Sequence, residues 1–128
     1  MNEIAKENLK KWTDGLLTKD SSVMAGFYTS NDDLSFLPTL DSRHITNLED
    51  TQDYFQNHFL PKSPKCVEVL QDTVIELAES CYSHSGKYTF EVGPEDDRKT
   101  AEARFTFIWK KEEGDWKITH HHSSVLPI

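Results

Sequence analysis

Apolar positions in the first twenty residues recur at helical spacing. Ile4, Leu9, Trp12, Leu16 and Leu17, with Asn8 among them, make one stripe, and lysines and glutamates fill the rest. This predicts a helix over residues 2–19, whose last turn Asp14-Gly15 weakens without ending. Asp20-Ser21-Ser22 supplies N-cap chemistry for a short second helix carrying Val23, Met24, Phe27 and Tyr28. After a turn at Asn31-Asp32-Asp33, residues 34–37 alternate like a strand that Pro38 closes. A second turn at Asp41-Ser42 leads to an extended piece through Ile45 and Thr46. Residues 47–60 read as a third helix: Asn47 caps it, Glu49 and Asp50 suit its positive end, and Pro61 stops it. One broad face of that helix carries Thr51, Tyr54, Phe55, His58 and Phe59. Beyond Pro64 the pattern turns to strands over 66–79, 80–92, 100–110 and 115–124, with hairpin turns at 93–97 and 112–114.

Helices first and a meander afterwards predict an α+β fold, a single domain over 1–128. About three N-terminal helices pack on a curved antiparallel sheet that forms a cone with a pocket at its open mouth. If Glu112-Glu113-Gly114 is a three-residue loop, Lys111 pairs with Asp115, Phe107 with Thr119, Phe105 with His121 and Arg104 with His122. One face of this hairpin then carries Phe105, Phe107, Trp109, Thr119, His121 and Ser123. The other carries Arg104, Thr106, Ile108, Trp116, Ile118, His120 and His122. A loop one residue longer exchanges the partners between faces.

Charge narrows the partners. Lysine and arginine number 14 against 22 aspartates and glutamates, a net charge of −8, which opposes binding to nucleic acid or to anionic lipid. No apolar run approaches the ~18 residues of a membrane-spanning helix. The charged start, without a secretory leader, points to a cytoplasmic protein. There Cys66 and Cys81 are expected as buried free thiols.

Candidate chemistry is sparse. His120 and His122 point the same way, as two strand ligands of a metal would. No spacing supplies a third ligand, and Arg104 opposite His122 repels a cation, so hydrogen-bonded structural histidines are the expectation and no metal or cofactor is assigned. His121, on the face with Phe105 and Phe107, is a candidate general base with Tyr88 as hydrogen-bond donor. No carboxylate is placed beside them, and neither a nucleophile elbow nor a phosphate-binding glycine loop is present.

Several segments carry a family resemblance: Phe36 to Leu40, Asp53 to Asn57, Ser85 to Phe90, Ala103 to Phe107 and Trp116 to Ser124. Together they resemble the nuclear transport factor-like superfamily. Trp116-x-Ile118-x-His120-x-His122 after a glycine-containing turn, with Tyr54-Phe55-x-Asn57 in the third helix, resembles the association (hub) domain of calcium/calmodulin-dependent protein kinase II and its free-standing bacterial, SnoaL-like relatives. The resemblance covers essentially the whole chain. It implies a cone of curved sheet behind a long first helix, dimers and sometimes rings of dimers, and a deep pocket that in kinase hubs is lined by arginines and binds small carboxylates. At the positions matching those arginines this chain has Gly86, Phe107 and Ser123. At those matching a pocket histidine and tryptophan it has Thr51 and Phe59.

Two functions stay open. The first is a non-catalytic homo-oligomerising domain whose conical pocket holds a small, anionic organic ligand against Phe55, Phe59, Tyr88, Phe107, His121 and Ser123. Its copies would pair face to face around Arg104, Ile108, Trp116 and Ile118. The second is a small isomerase, lyase or cyclase of the SnoaL-like or ketosteroid-isomerase-like type using His121 and Tyr88.

Overall fold

A computed structural model describes residues 1–127. Helix α1 (Asn2–Leu16) is followed by α2 (Ser21–Ala25), strand β1 (Ser35–Leu37) and α3 (Leu48–Tyr54). Four long strands complete the chain: β2 (Lys65–Ala78), β3 (Cys81–Val92), β4 (Lys99–Glu112) and β5 (Asp115–Val125). The helices lie on the concave side of one open, curved five-stranded sheet ordered β1-β5-β4-β3-β2. This is the expected α+β cone. Neighbouring strands run antiparallel except at one edge, where β1 lies parallel to β5 with Phe36 opposite His121. A long connection separates these two strands in sequence, so no hairpin dictates their direction.

The buried side of α1 is Ala5, Asn8, Leu9, Trp12 and Leu16, while Ile4 and Leu17 at the margins of the predicted stripe are exposed. Asp20 caps α2 by accepting the Ser22 N–H at 2.9 Å. Asn47 caps α3 by accepting the Asp50 N–H at 2.8 Å. The third helix does not run unbroken to Leu60. It turns α-helical through Tyr54, continues as one π-helical turn over Phe55–Phe59, and ends in a 3-10 turn, Leu60–Lys62, that contains Pro61. The wider π turn brings Tyr54, Phe55 and Phe59 to one side of the helix end.

The final hairpin differs from the expected register. Its turn has only Glu113 and Gly114, with φ of 50° and 89°, and closes on Glu112 paired with Asp115. This double positive φ twists the way the strands twist. This turn pairs Trp109 with Ile118, and a bulge at Thr119 then shifts the ladder, so Ile108 pairs with His120, Phe107 with His121 and Phe105 with Ser123. Before the bulge the expected register is off by one residue, and Ile118 and Trp116 move to the core side. Ile118 is fully buried and Trp116 packs edge-on against Tyr82 at 5.2 Å. Past the bulge it is off by two, which restores the faces of His120, His121, His122 and Ser123. Thr119, displaced by the bulge, bonds the Asp33 carbonyl at 3.0 Å instead of facing the cone. Cys66 and Cys81 are free thiols but only half-buried.

Candidate functional site

Between the helices and the concave face of the sheet lies a cavity of about 280 Å³. The helices contribute Trp12, Tyr54, Phe55 and Phe59 to its wall; the sheet contributes Phe36, Tyr88, Phe90, Ala103, His121 and Ser123. Residues 38–44 leave β1 and return through a paired Phe36 and Ile45, placing Pro38, Thr39 and Leu40 over one side of the cavity. Arg43 ties this loop down, reaching the carboxylates of Asp41 at 2.6 Å and Asp53 at 2.9 Å. The guanidinium holds both carboxyls below the usual range, through its hydrogen bonds first and its charge second.

Five of the six residues expected from sequence, Phe55, Phe59, Tyr88, His121 and Ser123, lie in the cavity wall. Phe107 does not reach it. Its ring stacks behind His121 with centroids 4.0 Å apart. Sheet register explains the stack: His121 sits on β5 directly between Phe107 of β4 and Phe36 of β1, and Phe36 covers its other side at 4.8 Å. Arg104 and His122 are exposed on the outer face of the sheet, so neither supplies charge to the cavity. Lys62, itself exposed, is the one charged residue in the wall among the described residues, and no carboxylate is present there.

The polar groups form two small networks. Thr39 donates to the Ser123 hydroxyl at 2.9 Å, and Ser123 shares a hydrogen with Tyr88 at 3.0 Å. Trp12 Nε1–H donates to the Tyr28 hydroxyl at 3.2 Å, and Tyr28 lies 2.8 Å from His121 Nδ1. Nε2 of His121 is buried without a partner. Burial lowers the basicity of His121 far below the ordinary histidine value, and the neighbouring His120 and His122 add to the effect. Burial likewise lifts the Tyr88 and Tyr28 hydroxyls above the usual phenol range. Both phenols and the imidazole are therefore neutral at neutral pH. Trp12 belongs to the apolar stripe of the first helix and Tyr54 to the aromatic face of the third, so their place in the wall follows from signals already present. Nothing in the local pattern marks Tyr28 or Thr39.

Neutral burial of His121 has a measurable consequence. The unfolded chain takes up a proton near pH 6.5, whereas the folded chain resists until a lower pH. Stability is thus complete above about pH 6.5 and falls as the pH drops from there towards the folded-state value, by up to roughly 1.4 kcal/mol per pH unit for one such group. His120, also lowered by burial, acts in the same direction. Urea unfolding midpoints should stay level between about pH 7.5 and 6.5, then fall towards pH 5 in wild type and more shallowly in His121→Phe. A flat wild-type profile would contradict a neutral, buried His121.

Comparison with known proteins places this geometry in a family. No protein with a curated description matches the chain in sequence. The chain aligns with a candidate calcium/calmodulin dependent protein kinase II association domain from Xanthomonas campestris at 32% identity and a TM-score of 0.88, covering 98% of this chain and 86% of that one. A candidate dehydratase of the NTF2-like family from Streptomyces avermitilis shares the fold at a TM-score of 0.82 and 10% identity, with 98% and 97% of the two chains covered. An NTF2-like superfamily protein from Salmonella enterica does so at 0.81 and 11%, covering 98% and 91%. At those identities the last two show a common fold alone. Residues 6–128 match the SnoaL-like domain, and the chain belongs to that family.

Proposed function

We propose that this SnoaL-like domain holds a small, largely apolar organic molecule inside its cone and assembles with copies of itself, without catalysing a reaction. The observation that carries the reading is the cavity: about 280 Å³ lined mostly by aromatic and aliphatic side chains with a few convergent polar groups, the usual make-up of a small-molecule site. Its chemistry argues for holding over turnover. General acid–base catalysis needs a group that exchanges a proton near the working pH. Here burial keeps His121 and Tyr88 neutral, and no carboxylate stands in the wall among the described residues. The isomerase, lyase or cyclase reading is weaker for the same reason. A negative charge on the ligand also loses support, because Arg104 lies outside and only Lys62 reaches the wall.

Self-assembly is supported by the convex face of the sheet. Strand register aligns Ile75, Ser83, Ile108 and His120 in one row across it, and Ile75 is 53% exposed. Uncharged rows of this kind suit a twofold face-to-face contact. The buried Ile118 takes no part in such a contact.

Indane, a bicyclic hydrocarbon without polar atoms, tests the cavity. Titration followed by NMR shifts should show saturable binding of one molecule per protomer, with the largest shifts at Phe55, Tyr88 and His121. Ala103→Leu, which fills the cavity from its wall, should weaken binding about tenfold or more. Absence of saturable binding in a folded wild-type protein would end the reading. For assembly, light scattering should give twice the 14.8 kDa chain mass and Ile75→Glu a monomer; a wild-type monomer at micromolar concentration would contradict it.

A further inference from the structure

The hydrogen-bond partners around His121 determine where its hydrogen sits. An indole N–H only donates, so Trp12 Nε1–H gives its hydrogen to the Tyr28 oxygen. Tyr28 carries one hydrogen of its own, and His121 Nδ1 at 2.8 Å is its remaining neighbour. If Nδ1 carried a hydrogen, the Tyr28 oxygen would accept twice and its own buried O–H would have no acceptor. The satisfied arrangement runs from Trp12 to Tyr28 to a bare Nδ1. A neutral imidazole with a bare Nδ1 carries its hydrogen on Nε2. That nitrogen is the one with no partner, on a ring 2% exposed that forms part of the cavity wall. Phe36 and Phe107 lie nearly parallel to the ring on either side, at 8° and 18°, and keep it from swinging away.

We infer that Tyr28, itself held by Trp12, is a positioning residue that keeps His121 in the Nε2–H form, and that His121 thereby selects neutral ring-sized ligands bearing a carbonyl-type acceptor. The inference rests on the cavity reading above and adds the ligand's chemistry to it. The second network points the same way. Thr39, Ser123 and Tyr88 bring three hydroxyl hydrogens to two mutual hydrogen bonds, which leaves one donor over. Surplus donors in an apolar chamber favour an acceptor. A carboxylate is also an acceptor, but it would shed its water there with no buried cation to receive it. A ligand that only donates would leave Nε2–H unpaired.

The test uses the full chain with 15N-labelled histidine. In the ligand-free protein, long-range proton–nitrogen correlation should place the His121 hydrogen on Nε2. Titration should then show 1-indanone binding about tenfold tighter than indane, the return on one well-aligned hydrogen bond. In Tyr28→Phe the hydrogen should no longer be confined to Nε2, and the ketone's advantage should drop to roughly threefold or less while indane affinity is retained. A hydrogen on Nδ1 in wild type, or equal affinity for the two probes, overturns the inference and leaves indane binding intact. If neither probe binds, the cavity reading fails and selection fails with it. Should Tyr28→Phe not fold, the wild-type tautomer and the probe ratio decide the matter alone.

Discussion

Trp12→Ala is expected to lower the unfolding free energy by about 3–5 kcal/mol, the range for truncating a fully buried large aromatic side chain. Trp12 is 1% exposed and meets Phe55, Phe90, Phe107 and His121 edge-on at centroid distances between 5.3 and 6.5 Å. These partners come from the third helix segment and from three different strands, so one side chain joins α1 to most of the molecule. Removing it enlarges the neighbouring cavity and strips the contacts that hold α1 on the sheet. It also takes the donor from Tyr28, leaving a buried hydroxyl oxygen short of a partner. Small domains have total stabilities of about 5–15 kcal/mol, so a large share is at stake. Equilibrium urea denaturation with an unchanged m-value is the measurement. A loss under about 1 kcal/mol would show that α1 is held by something other than this aromatic junction. Trp12→Phe, which keeps a ring but no N–H, should fall between.

Gly86→Ala should cost about 2–3 kcal/mol, an unusual penalty for one methyl group in a half-buried strand. At Gly86 the β2 backbone closes in next to a bulge between Val69 and Gln71. A Cβ built there meets the Gln71 carbonyl oxygen well inside contact distance and comes within 2.8 Å of Asp72 Cα. Both are backbone atoms of a paired strand, so neither yields as a flexible side chain would. The added methyl must push β2 away from β3 or distort both. Amide exchange should report the damage as lost protection along β2 and the facing half of β3. A variant as stable as wild type would mean that the bulge relaxes freely. The same geometry explains why this chain cannot place a long side chain at Gly86, a position where the hub resemblance implies an arginine.

How much of this was legible beforehand depends on the length scale of each signal. The three helices, the caps at Asp20 and Asn47 and the four long strands follow from spacing and local hydrogen-bond chemistry within a few residues. His121 and Ser123 reached the cavity side through an expected register that was itself displaced by two residues. Side chains alternate with a period of two, so a two-residue offset leaves their face unchanged, whereas the one-residue offset before the bulge turns Ile118 to the opposite face from the expected one. The two-residue turn at Glu113-Gly114 and the bulge at Thr119 have no signature that separates them from a three-residue loop in one chain.

Local order therefore determined by itself that this would be an α+β cone with an aromatic helix face, Phe55 and Phe59 included, turned toward the sheet, whereas the side taken by His121 and Ser123 depends on the turn and the bulge together. Tertiary structure alone decided the parallel docking of β1 against β5, the π turn at Phe55–Phe59 and the loop that Arg43 ties over the cavity. It also decided the relay from Trp12 through Tyr28 to His121, whose members lie 16 and 93 residues apart. Periodicity and capping act between neighbours on one element and leave a trace in adjacent letters. A hydrogen bond between side chains on a helix, a loop and a strand inside the sheet leaves none, because the distance that makes it exists only once the sheet has curved and the helices have closed over it.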